Sequence, residues 1–69
     1  MKETFGQRLK ALRNEKHMGQ IELSKALCVG KSIISLWERG ECEPTLSNLT
    51  AISKFFGVSI DFLAGIEEY

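Results

Sequence analysis

An all-α fold is predicted for this chain, a compact bundle of five short helices. Three observations carry the prediction. Apolar residues recur at intervals of three and four along successive stretches. Residues that cap or break helices separate those stretches. The connections left between them run to only three to five residues, too short to hold the strands of a sheet.

Taken in order, Thr4 is placed to cap a first helix, and Gln7 three residues later completes a capping box. Phe5, Leu9 and Leu12 follow at intervals of four and three, carrying the helix to about Lys16. His17-Met18-Gly19 breaks the pattern. Leu23, Ala26 and Leu27 then mark the inner face of a second helix starting near Gln20. After Cys28-Val29-Gly30, the stretch Ser32 to Arg39 reads as a third helix with Ile34 and Trp37 inward, ended by Gly40. Its β-branched residues also suit a strand, but two-residue alternation fails at Leu36-Trp37. Pro44 and Thr45 open a fourth helix with Leu46, Leu49, Ile52, Ser53 and Phe56 as its inner stripe, and Gly57 stops it. Ser59 caps a fifth, carrying Ile60, Phe62 and Leu63.

A length of 69 residues fits one domain, 1–69, and its 43% apolar content, spread from Phe5 to Ile66, suffices for one core. No run approaches the roughly 20 apolar residues of a membrane span, and the N-terminus lacks a signal-peptide layout, so a cytoplasmic protein without membrane partners is expected. Cys28 and Cys42, with His17 as sole histidine, do not complete a four-ligand zinc site. Two reduced thiols, no metal and no cofactor are expected. The single histidine, the absence of a glycine-rich phosphate loop and the absence of a nucleophile beside a base argue against an enzyme.

The formal net charge is zero, but it is unevenly placed. Residues 1–18 hold Lys2, Arg8, Lys10, Arg13 and Lys16 against Glu3 and Glu15, a net +3. Residues 19–39 hold Lys25, Lys31 and Arg39 against Glu22 and Glu38, a net +1. The remaining 30 residues oppose Lys54 to five acids, a net −4. A polyanion would meet the first half.

The run from Gln20 to Gly40, QIELSKALCVGKSIISLWERG, resembles the DNA-binding helix-turn-helix of the phage-repressor and Cro type, also called the xenobiotic-response-element family. Phe5-Gly6, Arg8-Leu9-Lys10 and Leu12-Arg13 upstream extend the resemblance, as do Pro44, Leu49, Ile52, Phe56-Gly57-Val58-Ser59, Asp61 and Leu63 downstream. It implies a lambda-repressor-like DNA-binding domain with its helix-turn-helix at about 20–39. Sequence-specific binding of double-stranded DNA and transcriptional regulation, most often repression, follow from the resemblance. One short helix lies across the phosphates while the other presents its first turns to the major groove. The family's phosphate-contacting position falls on Gln20, and its base-contacting positions fall on Lys31, Ser32 and Leu36, with Ser35 close to the same face. Lys31 reaches either guanine acceptors or a phosphate. Arg39, Lys10, Lys25 and Lys54 are candidate backbone contacts. Arg13 and Glu38 stand where relatives form an ion pair joining helix 1 to the end of helix 3, and Trp37 belongs to the core by spacing.

Three departures from the family pattern stand out. Leu36 replaces a side chain that is commonly polar or basic, and is either a contact to a thymine methyl or a sign that the surface reads DNA differently. Cys28 takes a turn position usually held by glycine, which implies a left-handed backbone there. Gly19 and Gly30 replace hydroxyl-bearing caps, removing groups that relatives offer to phosphates. The rival function is an interaction module that keeps the fold without binding DNA, suggested by the neutral charge and by Ile33, Leu36 and Phe55.

A single module makes too few base contacts for useful discrimination, so a homodimer on a palindromic operator is expected. Phe55, Val58, Ile60, Phe62 and Ile66 exceed what one short helical end can bury. Phe62 and Leu63 are expected to pack inward and others to form an isologous patch. With no separate sensor domain, no small-molecule effector is expected.

Overall fold

The computed structural model describes residues 4–65, and among them the chain forms five helices and no strand. They are α1 Phe5–Glu15, α2 Gln20–Leu27, α3 Ile33–Glu38, α4 Leu46–Phe56 and α5 Ile60–Leu63. The starts of α1, α2, α4 and α5 follow the predicted caps, whereas α3 is capped at Ser32 and not at Gly30, because residues 31 and 32 are taken up by the turn that the Ile33 N–H closes onto the Gly30 carbonyl. The Thr4 hydroxyl accepts from the Gln7 N–H at 3.3 Å while the Gln7 side-chain Oε1 accepts from the Thr4 N–H at 2.8 Å, a reciprocal capping box. The hydroxyls of Thr45 and Ser59 accept from the N–H groups of Asn48 and Phe62, at 3.1 and 2.9 Å. Helix 4 therefore begins after Thr45, and Pro44 lies outside it.

Each helix contributes to a single core of Leu9, Leu23, Ile34, Trp37, Ile52 and Leu63, all essentially sealed from solvent. None of these segments is long enough to persist alone in water, so the shared core holds all five. Trp37 is the largest of its members and meets the Phe5 ring edge-on, with centroids 6.0 Å apart. α1 packs on α3 and α5, α2 on α3 and α4, and α4 on α5.

Two residues read as inward-facing are not. Leu46 is 71% exposed: at 100° per residue it sits about 120° around α4 from Ile52, off the stripe that Leu49, Ile52 and Phe56 define. Ala26 is exposed because the buried side of α2 is centred on Leu23 and the neighbouring Ser24, whose hydroxyl donates to the Ile21 carbonyl at 2.6 Å. Phe62 is only half-buried, while Leu63 is fully inside as expected. Ile66, assigned to an apolar patch from the sequence, lies outside the described residues.

Among the described residues, backbone strain is stored at two non-glycine positions, His17 (φ 55°) and Cys28 (φ 59°). Cys28 is the left-handed residue expected from the sequence. His17 was not anticipated. It closes α1 through its N–H to the Asn14 carbonyl at 3.0 Å, leaving Gly19 extended as the N-cap of α2. Gly6 answers a different demand. A Cβ there would overlap the Trp37 carbonyl and come within 2.8 Å of that of Glu38, so glycine lets α1 lie directly on the end of α3.

Candidate nucleic-acid interface

The segment that links α2 to α3 is closed by backbone bonds. Left-handed Cys28 donates to the Lys25 carbonyl at 3.2 Å, Val29 to Ser24 at 2.9 Å, and Ile33 to Gly30 at 3.2 Å. Val29 and Ile33 pack against the core. With Ile34 and Trp37 buried, α3 has one rotational setting, and Lys31, Ser32, Ser35 and Leu36 remain on its outer side. Lys31 and Ser32 are exposed, Ser35 and Leu36 half-buried. The Ser32 hydroxyl makes no capping bond, and Lys31 forms no ion pair among the described residues. Arg39 is exposed, its Nε 3.5 Å from Glu41 and donating to the Ser35 carbonyl at 3.4 Å. An exposed pair of this kind is weak enough to exchange for another anion.

Behind that face stands a brace. Arg13 Nε meets Glu38 Oε2 at 2.7 Å and Nη2 meets Oε1 at 3.1 Å, with the two side chains 11% and 4% exposed. Arg13 Nη1 also donates to the Met18 carbonyl at 2.7 Å, and Gln20 Nε2 donates to Glu38 Oε1 at 3.0 Å. The Arg13–Glu38 pair thus ties α1, the loop after it, the start of α2 and the end of α3. The bond to Glu38 raises the Arg13 pKa above its ordinary value, against an opposing effect of burial, so the guanidinium stays charged. The ion pair expected from the resemblance is present. Gln20 is where the sequence put it, at the first turn of α2, but its amide nitrogen is already engaged by the brace.

Arg8 was read as part of the basic half and of the upstream motif, with no role of its own. It is 5% exposed, donates to the Phe62 carbonyl at 2.8 Å and lies 4.4 Å over the Phe62 ring, pinning α5 to α1. Its single sequence signal was its place in the upstream motif. Two of the cations in the basic half, Arg8 and Arg13, are therefore structural. Lys10 and Lys16 on the α1 side, and Lys25, Lys31 and Arg39 on the helix pair and its flanks, remain exposed. Cys28 and Cys42 are free thiols. No helix of the described residues is long and apolar enough to cross a membrane.

A helix pair of this geometry, braced from behind and presenting the outer side of its second member, defines a helix-turn-helix module. The helix-turn-helix family matches residues 9–63, and the chain belongs to it, with phage repressors among its relatives. It is 42% identical over 64 residues to the HTH-type transcriptional activator BcrR of Enterococcus faecalis, covering 93% of this chain and 31% of that protein. It is 39% identical over 61 residues to the repressor protein C2 of Salmonella phage P22, covering 88% and 28%. The chain thus spans less than a third of the length of either relative. Among solved structures, the P22 c2 repressor in complex with a synthetic operator matches with a TM-score of 0.87 at 37% identity, over 94% of this chain and 98% of that one. The biofilm regulator SinR in complex with DNA matches at 0.79 and 34% identity, over 87% and 97%.

Proposed function

We propose that this chain is a sequence-specific double-stranded DNA-binding module of a transcriptional regulator, with α3 reading the major groove and α2 positioning the pair on phosphates. The observation that carries this reading is the sidedness of α3. Ile34 and Trp37 lock its inner side, leaving Lys31, Ser32, Ser35 and Leu36 outward with no ion pair, cap or core role that spends Lys31 or the Ser32 hydroxyl among the described residues. Lys31 and Ser32 supply hydrogen-bond donors to base edges, and Arg39 supplies a cation at the far end of the helix. Gln20 fits a phosphate contact from the N-terminal turn of α2, its side chain aimed by Glu38. The P22 repressor, solved on an operator, supports the docking by its similarity.

Nothing in this reading calls for covalent chemistry, and the module works where the DNA is, which for a relative of these bacterial and phage regulators is the cytoplasm. Repression by occupying an operator is the preferred outcome, since relatives include named repressors alongside an activator. A symmetric homodimer on a palindromic site supplies the discrimination one module lacks. Residues 1–69 are read as one such module.

The test is selection from a random duplex pool, followed by affinity measurement as salt is raised. An enriched palindromic sequence, bound with an affinity that falls steeply with salt, supports the reading. No enrichment, with elution from a DNA column indifferent to salt, supports an interaction module instead.

A further inference from the structure

We propose that Leu36 reads the 5-methyl group of a pyrimidine in the operator, thymine in ordinary DNA; the inference rests on the DNA-reading function proposed above. Leu36 lies one turn beyond Ser32 on α3, its N–H bonded to the Ser32 carbonyl at 3.1 Å. Its side chain is half-exposed and stands outside the group of apolar side chains that pack on the core, whereas Ile34 and Trp37 on the other side are sealed. The core therefore does not account for a leucine here.

At helical spacings of three and four residues its neighbours on α3 are Ser32, Arg39 and Ile33, the last of which packs against the core. With Ile33 turned to the core, the leucyl side chain stands between the Ser32 hydroxyl and the Arg39 cation. A surface that docks a protein presents a contiguous apolar area of some hundreds of Å². One leucyl side chain falls short of that. A lone apolar group among hydrogen-bonding groups matches instead the major-groove edge of a T·A pair, where a methyl projects beside an acceptor oxygen. Leucine offers no donor, so whatever it discriminates is carried by the methyl. Two consequences follow from that chemistry. Uracil, which lacks the methyl, is bound less well than thymine at this position, and 5-methylcytosine is bound better than cytosine.

The experiment uses the full chain and a duplex obtained by selection, titrated by fluorescence anisotropy. Each thymine is replaced in turn by deoxyuridine, symmetrically in both half-sites. At one thymine the wild-type protein should bind about fourfold more weakly per half-site, the effect of one methyl-sized group left in water, and about fifteenfold more weakly for the pair. Leu36→Ala should show no penalty for uracil at that thymine. With cytosine placed at the same position, 5-methylation should restore part of the wild-type affinity and none of the variant's. Should Leu36→Ala not fold, Leu36→Gln serves the same comparison and should bind duplex without methyl dependence. The proposal is overturned if uracil is tolerated at every thymine, or if its penalty persists in the Leu36 variants. Failure of the parent reading looks different, since no duplex would then be enriched by the wild-type protein, and both fall together.

Discussion

Cys28 shows how a single residue registers both the fold and its strain. It holds the left-handed position that ends α2, where a Cβ is disfavoured by roughly 1–2 kcal/mol, partly offset in a glycine variant by the greater freedom of the unfolded chain. Cys28→Gly should therefore stabilise the protein by about 0.5–1 kcal/mol, seen as a rise of a few degrees in thermal midpoint. An unchanged or lower midpoint would mean that Cys28 is not strained. This residue was legible in the sequence because the family pattern has glycine there. His17 was not, because the turn was attributable to Gly19 two residues on. Arg8 was hidden for another reason: an arginine in a basic stretch looks like a phosphate ligand, and only its bond to the Phe62 carbonyl, 54 residues away, shows it to be a pin. Leu46 misled because leucine at the start of a helix joins a stripe in sequence while projecting away from it in space.

At the scale of elements, α3 has six residues and depends wholly on what it packs against. Trp37 fastens its inner side and the Arg13–Glu38 pair its end. Trp37→Ala should remove about 3–5 kcal/mol, a large share of what so small a domain possesses, and abolish cooperative thermal unfolding. A folded variant that fails to bind DNA would instead place the indole on the reading surface. Glu38→Ala leaves the buried Arg13 guanidinium without its partner and Gln20 without its acceptor, and should destabilise by about 3 kcal/mol in urea denaturation. A loss below about 1 kcal/mol would contradict the brace. The helices themselves were legible because caps and apolar spacing are local signals, which is why Thr4, Thr45, Ser59 and Gly57 all mark ends as read. The close approach of α1 to α3 at Gly6 was not, since it is decided by backbone atoms more than 30 residues away.

For the whole molecule, charge and symmetry decide the function. With Arg8 and Arg13 committed to structure, Lys10, Lys16, Lys25, Lys31 and Arg39 are the exposed cations of the basic half among the described residues, fewer than the sequence promised. If about three of them neutralise phosphates, the plot of log affinity against log salt should slope at about −2.7 per protomer and about −5.4 for a dimer. A slope shallower than −1 would remove the phosphate contacts from the account. The dimer itself should appear as two protomers per duplex in sedimentation, with footprints centred about 10 base pairs apart; one protomer on a site without two-fold symmetry would refute it. The central claim remains that the outer side of α3 reads bases while α2 positions. The most direct measurement is repeated selection from a random duplex pool with wild-type, Lys31→Ala and Gln20→Ala proteins, with affinities determined at low salt. Lys31→Ala should relax the preference at one base pair of each half-site and cost about 1–3 kcal/mol there, while Gln20→Ala should weaken all sequences alike. If the selected sequence and the affinity are the same for all three proteins, α3 is not the reader.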